Sequence, residues 1–288
     1  MLGVLVALWG SAFAFAKVAV ETVAPEWTMA GRLITAAALL LPLTLVMRRS
    51  LALGNEAWGW FVALALVGNI APFFVISWGQ QHISSALAGI LIGFTPLATL
   101  AIARIFVPED RITPMRIAGF AIGFAGLVVV IGPGALADLT AGGDRLLGQF
   151  AVLAGAFFFA CNNVMARRAP DMPLVAKSSG VMLAGALIGT AMASTATPPA
   201  ALAEAGTASL LGVAGLGIFS TGLAALIFFR RVDKAGTTFV SLTNYLVPVF
   251  AAVAGYLVFG EELKFRVLAG LALILAGIAI SEWRRVTD

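Results

Sequence analysis

Residues 245–262, YLVPVFAAVAGYLVFGEE, are apolar for about one bilayer crossing, carry a proline near the start and end on two glutamates. The stretch has a twin: residues 94–110 read FTPLATLAIARIFVPED, again apolar, with an early proline and a terminal acidic pair. Pro248 minus Pro96 is 152, Glu261 minus Glu109 is 152, and Gly270 minus Gly119 is 151, so the match continues into the following apolar segment. Subtracting 145 recovers the beginning of the chain as well: Gly155 falls on Gly10, Phe158 on Phe13, Asn162 on Lys17 and Lys177 on Arg32. The chain reads as a duplicated unit, and its fold must be assembled from two related halves.

What those halves sit in follows from composition. With 288 residues, 61% hydrophobic, 11% charged and mean hydropathy +1.02, the apolar surface exceeds what one water-soluble core can hide. A membrane span needs about 20 apolar residues. Breaks at charged or Pro/Gly-rich points give ten, near 2–20, 28–47, 57–78, 85–106, 115–132, 147–166, 173–194, 207–229, 238–259 and 266–283. The expected fold is an all-α membrane protein with ten transmembrane helices, as one five-helix repeat over 1–132 and a second over 147–288. The first segment has no basic n-region and places Lys17 where an apolar core should continue, so it is read as a span and not a signal peptide.

Five crossings per copy is an odd number, so the second copy must enter the bilayer from the opposite side. Loop charge agrees. The third span exits at Gln80, Gln81 and His82, whereas its counterpart, the eighth, exits at Arg230 and Arg231. With a cytoplasmic amino terminus, the inner loops and tail hold Arg48, Arg49, Arg104, Arg111, Arg116, Arg167, Arg168, Arg230, Arg231, Lys234, Arg284 and Arg285. The outer loops hold Arg145, Lys264 and Arg266. Twelve against three predicts both termini in the cytoplasm. The same asymmetry accounts for the net charge of +4 without an anionic partner, and no basic patch interleaved with aromatics points to nucleic acid.

Other classes lack their chemistry. A single cysteine, Cys161, excludes an internal disulfide and a thiolate-built metal site. Intramembrane hydrolysis needs an acid, base or metal, and the sequence holds no paired aspartates, zinc-protease motif or Ser-His arrangement; a channel would want charge rings or a carbonyl filter. The reading is a transporter and not an enzyme, with no cofactor or metal, whose partners are a small-molecule substrate and the lipid bilayer.

Candidate substrate-binding residues are the polar and aromatic groups within spans. Trp9, Phe13 and Lys17 share one helical face at i, i+4 and i+8. Trp9, Phe13, Phe73, Trp78, Phe158 and Tyr245 offer rings to a planar substrate. The other aromatics fit packing or, for Trp27, Trp58, Trp60 and Trp283, a membrane-edge belt. Asn69, Ser77, Thr95, Asn162, Ser220 and Asn244 are hydrogen-bonding groups that want partners in an apolar setting, although Ser and Thr can bond their own helix. Lys17 either snorkels toward Glu21 or anchors a substrate carboxylate. Arg32 and Lys177, equivalent in the two copies, are expected to be structural.

Pro96 frees the carbonyl of Ile92 and Pro248 that of Asn244; in lipid such groups are tolerated only against protein or water, so both should face inward. With Pro72 and His82, the one histidine, they are candidate hinge or gating positions. Small-residue pairs such as Gly119 and Gly123, Gly89 and Gly93, or Gly185 and Gly189 allow close helix contact. Packing within one chain is expected, hence a monomer, with a dimer as the alternative.

The pattern Tyr245, Leu246, Pro248, Val249, Ala251, Gly255, Gly260 and Glu261, together with Trp9-Gly10-Ser11 and the five-plus-five arrangement, resembles the EamA branch of the drug/metabolite transporter superfamily. The resemblance implies two inverted five-helix repeats around a central cavity lined by spans 1, 3, 4, 6, 8 and 9, with spans 5 and 10 to the side. The aromatic content and the Gln-Gln-His exit look like bacterial aromatic amino-acid exporters. They imply export of small amphipathic metabolites, aromatic or neutral amino acids, across a bacterial inner membrane. Small four-helix multidrug relatives hold a carboxylate deep in the bilayer; here all fourteen acidic residues fall in predicted loops or at span ends. Without that group the expected mode is alternating access by facilitated diffusion, the alternative being proton-coupled export of drugs or lipophilic cations.

Overall fold

A computed structural model describes residues 2–48, 51, 54–106, 114–131 and 143–282, with side chains 2, 104–105, 228–242, 244–245 and 282 outside the described set. The acidic pair Glu109 and Asp110, the tail from Trp283 onward and the loop at 132–142 also lie outside it.

Every described element is helical. The first two, α1 (Leu2–Ala19) and α2 (Pro25–Val46), are separated by a short turn, and α2 opens on Pro25, where a missing N–H costs nothing. α3 (Gly54–Ala65) passes through a π-turn (Leu66–Ile70) into α4 (Ala71–His82), forming one continuous run longer at both ends than the expected span. Then come α5 (Ser85–Ile92), α6 (Thr95–Phe106), α7 (Pro114–Ile131), α8 (Asp144–Arg168) and α9 (Leu174–Ala196). A 3-10 turn (Pro199–Glu204) leads to α10 (Thr207–Gly215), a second π-turn (Leu216–Leu223), α11 (Ala224–Phe259) and α12 (Phe265–Glu282).

Two expectations about boundaries need correction. The expected fourth span is two helices, because Gly93 and Phe94 interrupt it. Pro96 thereby becomes the second residue of α6, where its missing donor is an orphan anyway. The expected loop between spans eight and nine is instead helical, and α11 runs 36 residues without a break. Between Phe229 and Phe239 Gly236 is the residue least favourable to helix, and there is no proline to end it. Ser209 bonds to α1 at Val18 and Glu261 bonds to Ser85, both at the same end of the bundle.

Seven helical runs are long and apolar enough to cross a membrane, and three shorter apolar helices accompany them, Gly3–Ala19, Leu246–Phe259 and Phe265–Ser281. Their outward residues are apolar too: Leu187, Leu211 and Leu257 are 64%, 65% and 72% exposed, a surface suited to lipid and not to water. The chain is a multi-pass membrane protein.

Inside, one buried cluster joins α2, α3 and α9 through Met29, Leu33, Phe61, Leu64 and Val181. A second joins α5, α6, α7 and α12 through Ile90, Leu91, Leu97, Leu127 and Ile274. Helices pair as α2 with α9, α7 with α12, α4 with α8, α1 with α10 and α11, α5 with α11, and α6 with α8. The α7–α12 seam is backbone against backbone. A Cβ on Gly277 would lie 2.5 Å from the Gly119 carbonyl oxygen, and one on Gly126 would lie 2.8 Å from that of Gly270. Gly89 and Gly93 likewise receive Ala251 and Pro248 of α11, so these glycine faces are occupied within one chain.

Several side-chain bonds between elements gather at one end of the bundle. Lys17 Nζ donates to the carbonyls of Gln80 (2.7 Å) and Ile83 (3.1 Å), and Gln80 Nε2 returns a bond to the Phe13 carbonyl (2.8 Å). These are carbonyls at the end of α4 that its own helix leaves unpaired. At the same end Glu261 accepts from Ser85 N (2.7 Å), Ser85 Oγ (2.9 Å) and Ala86 N (2.8 Å). Trp27 Nε1 donates to the Thr197 carbonyl at 3.0 Å, and Thr197 Oγ1 donates to Glu26. Trp27 is 7% exposed and so belongs to this packing and not to a lipid-facing belt. His82 Nδ1 lies 3.8 Å from Asp144 Oδ2.

Candidate functional site

The two π-turns occupy equivalent places in the duplication. In the first, Asn69 Nδ2 donates to the Leu64 carbonyl at 3.2 Å; in the second, Thr221 Oγ1 donates to the Leu216 carbonyl at 3.0 Å. Thr221 minus Asn69 is 152 and Leu216 minus Leu64 is 152, the offset that relates the two prolines. A π-turn carries one extra residue per turn and leaves carbonyls misaligned with their usual donors; here a side chain five residues on supplies the missing donor. Pro72 follows the first π-turn, but its counterpart Ala224 follows the second, so proline is not what produces the distortion.

The guanidinium of Arg32 comes between these turns. Its Cζ lies 3.6 Å from the centroid of the Phe73 ring, and its Nε donates to Thr221 Oγ1 at 2.7 Å. Phe73 stands one helical turn beyond Asn69 on the same face and meets Phe159 of α8 edge-on, with centroids 6.0 Å apart. One turn further along α8, Asn162 lays its amide over Gly68 of the first π-turn, in the space a Cβ there would fill. Helices α2, α4 and α8 and the two π-turns thus bring together a cation, two aromatic rings, two amides and a hydroxyl. Thr221 and Phe159 stand 14 and 15 residues from the starts of α10 and α8, about 20 Å along each helix, which is interior to a bilayer about 30 Å thick.

The other expected site residues divide among several places. Asn69 and Phe73 are in the cluster just described, and Asn162 borders it. Phe158 is partly buried on α8, but its neighbour Phe159 makes the ring contact. Phe13 is 8% exposed and packs in the second core cluster, while Lys17 is bonded to the end of α4. Trp9 is partly exposed, next to Gly10, whose missing side chain makes room for Phe250. Trp78 packs on His82 with ring centroids 4.6 Å apart. Ser77 is buried.

Thr95 Oγ1 donates to the Ile92 carbonyl at 2.7 Å, filling the vacancy left by Pro96. Ser220 is 1% exposed, and its Oγ has no hydrogen-bond partner among the described residues. Pro72 and Pro248 are buried, the latter against Gly93. The side chains of Asn244 and Tyr245 lie outside the described residues. Also among the described residues, no three of His, Cys, Asp and Glu gather as a metal-binding group.

Arg32, Phe159 and Thr221 were absent from the sequence-derived site. Arg32 had a signal, since it lies further inside a predicted span than any other arginine and intramembrane charge is usually functional. Thr221 is Asn69 plus 152. Nothing in the sequence separates Phe159 from its neighbours Phe157 and Phe158.

Known proteins resemble the chain along most of its length. A solved crystal structure superposes with a TM-score of 0.69 over 100% of this chain and 97% of its own, at 22% identity, a likeness of fold. An S-adenosylmethionine/S-adenosylhomocysteine transporter of Chlamydia trachomatis serovar L2 is 26% identical over 280 residues, covering 94% of this chain and 84% of the relative. A probable terminal-alkyne amino-acid exporter of Streptantibioticus cattleyicolor is 30% identical over 215 residues, covering 74% and 69%. An uncharacterized transporter of Archaeoglobus fulgidus is 26% identical over 281 residues, covering 97% and 96%. Residues 1–132 and 146–283 match the EamA-like transporter family, and the chain, a membrane transporter, belongs to that family.

Proposed function

We propose that the protein exports small amphipathic metabolites, aromatic or neutral amino acids, by alternating access and facilitated diffusion. The observation that carries the reading is the group of rings and amides at Asn69, Phe73, Phe159 and Asn162, gathered deep in the bundle. Rings take a planar side chain and amides take a zwitterionic head group. The names of two relatives support it, because S-adenosylmethionine and a terminal-alkyne amino acid both carry an α-amino-acid head.

The architecture that goes with this function is ten spans in two inverted five-helix repeats, 1–132 and 147–288, around a central cavity. Three features support it. The seven long and three shorter apolar helices match ten crossings in number. The π-turns recur at the duplication offset. The pairings are kept when whole spans are exchanged for their counterparts: the α3–α4 run with α8 becomes the run from α10 into α11 with α1, and α6 with α8 becomes the later part of α11 with α1. Two copies of one unit supply two arrangements of similar energy for alternating access. Loop charge supports cytoplasmic termini in a bacterial inner membrane.

A lipophilic-cation exporter fits less well, since a guanidinium stands in the candidate site. The test is uptake of labelled phenylalanine, threonine and a lipophilic cation into vesicles holding the purified protein, with and without a pH gradient. Phenylalanine flux without a gradient is expected. Flux that appears only when a gradient is imposed rejects facilitated diffusion, and flux of the cation alone rejects the substrate class.

A further inference from the structure

We propose that Arg32 is the anchor for the carboxylate of the transported amino acid, an inference that rests on the amino-acid reading above. The side chain is held in one orientation by two contacts of different kinds. Phe73 lies under the guanidinium at 3.6 Å, and a cation over a ring face is held by the ring's quadrupole. Thr221 Oγ1 gives its own proton to the Leu216 carbonyl and so presents a lone pair to Arg32 Nε. Together these fix the plane of the fork while using one of its five N–H groups.

The remaining four N–H groups identify the ligand. Among the described residues, the two terminal nitrogens donate to no protein atom and no carboxylate stands within 4 Å of them. Nor are they sealed in. The residue is half-buried, and its nitrogens are not among the enclosed polar atoms that lack partners. The free edge of the guanidinium therefore keeps accessible surface and has no partner among the described residues. A permanent cation in a membrane interior is costly unless paired, and a planar fork with two parallel N–H pairs matches a carboxylate in bidentate fashion.

The neighbours suit the rest of an amino acid. Asn69 has committed its Nδ2 to Leu64, which leaves Oδ1 to accept from an ammonium group. Phe159, edge-on to Phe73, extends the aromatic wall along which a ring would lie. The equivalent cation of the second copy does not repeat the arrangement: Lys177 Nζ approaches the Ala166 carbonyl at 3.5 Å, near Asp171. The duplication therefore supplies one such anchor and not two.

The experiment uses the full-length protein in proteoliposomes and compares competitors of labelled phenylalanine uptake. Phenylalanine and phenylacetate carry the carboxylate, while phenethylamine and phenylalaninamide lack it. In the unmodified protein the carboxylate-bearing pair is expected to compete at least about tenfold better than their partners. Arg32→Gln should lower uptake at least tenfold and abolish that preference, with Arg32→Lys retaining part of it. Thr221→Val, which keeps the guanidinium but releases its plane, should raise KM severalfold with kcat less affected.

If Arg32→Gln does not yield folded protein, the ligand comparison and Thr221→Val decide alone. Phenylalanine uptake with no preference for a carboxylate overturns the anchor and leaves the amino-acid reading standing. If no amino acid is carried, that reading fails, and the anchor is then decided by tryptophan-fluorescence titration of the purified protein with phenylacetate and phenylacetamide. Selective binding of phenylacetate, lost in Arg32→Gln, upholds it, and equal or absent binding overturns it.

Discussion

Glu261 stands one residue past a left-handed glycine and closes the beginning of α5 by accepting the backbone N–H groups of Ser85 and Ala86, at 2.7 and 2.8 Å. Two glycines of its motif contribute to this contact. Gly260, at φ 62°, turns the chain back where an ordinary residue would be strained. Gly255 leaves the space that the carboxylate and Ala86 fill. A negative charge at a helix start is favourable both for the orphan donors and for the helix dipole. Glu261→Gln keeps the shape but sets an amide donor against donors, and is expected to lower stability by about 1–3 kcal/mol. Thermal unfolding in detergent measures this, and an unchanged midpoint would remove the cap.

Lys17→Met has similar length and no hydrogen-bond donor. It should loosen the end of the bundle where Lys17 bonds the carbonyls of Gln80 and Ile83. Ile83 is 4% exposed, so a cysteine placed there in a Cys161→Ser background reports opening through its rate of maleimide labelling. The rate is expected to rise severalfold with Lys17→Met. Equal rates with and without the lysine contradict the tie.

The glycine seam separates two substitutions that look alike on paper. Gly277→Val would put a Cβ 2.5 Å from the Gly119 carbonyl oxygen and prise α12 from α7, at a cost of about 1–3 kcal/mol or more. Gly59→Ala in α3 meets nothing within 4 Å and should be neutral or stabilising by up to about 1 kcal/mol. Folded yield and melting temperature of the two variants, purified side by side, test the contrast. A tolerated Gly277→Val would show that the seam is looser than the structure has it.

Thr95→Val removes the donor to the Ile92 carbonyl, and the expected loss is about 1 kcal/mol. Thr95→Ser keeps the hydroxyl and should recover most of it. Identical melting of the two variants would show that the carbonyl freed by Pro96 finds another partner.

Much of this was legible because duplication and helix chemistry are local properties of the chain. Pro96 marked a freed carbonyl, and the structure shows it served by the adjacent Thr95. Gly119 marked a close helix approach, and α12 makes it. The candidate site was less legible. Asn69, Phe73 and Asn162 were recognised as polar or aromatic groups within spans, but which rings meet depends on helix rotations that periodicity leaves free. Phe158 was chosen because it falls on Phe13 in the repeat, and Phe159 makes the contact. Arg32 was read through its symmetry with Lys177, and symmetry of sequence does not carry over to surroundings when the residues opposite differ: Thr221 accepts from Arg32, whereas Lys177 reaches a backbone carbonyl. The unbroken α11 was missed because charge at Arg230, Arg231 and Lys234 reads as a loop, although charge by itself does not end a helix.

The acceptors that Lys17 uses belong to the main chain, which makes the fastening uneven in its exposure to mutation. Any residue at 80 or 83 still presents a carbonyl, so drift at those two codons leaves the acceptors in place. Heritable loosening of that end by this route must come through the lysine codon itself.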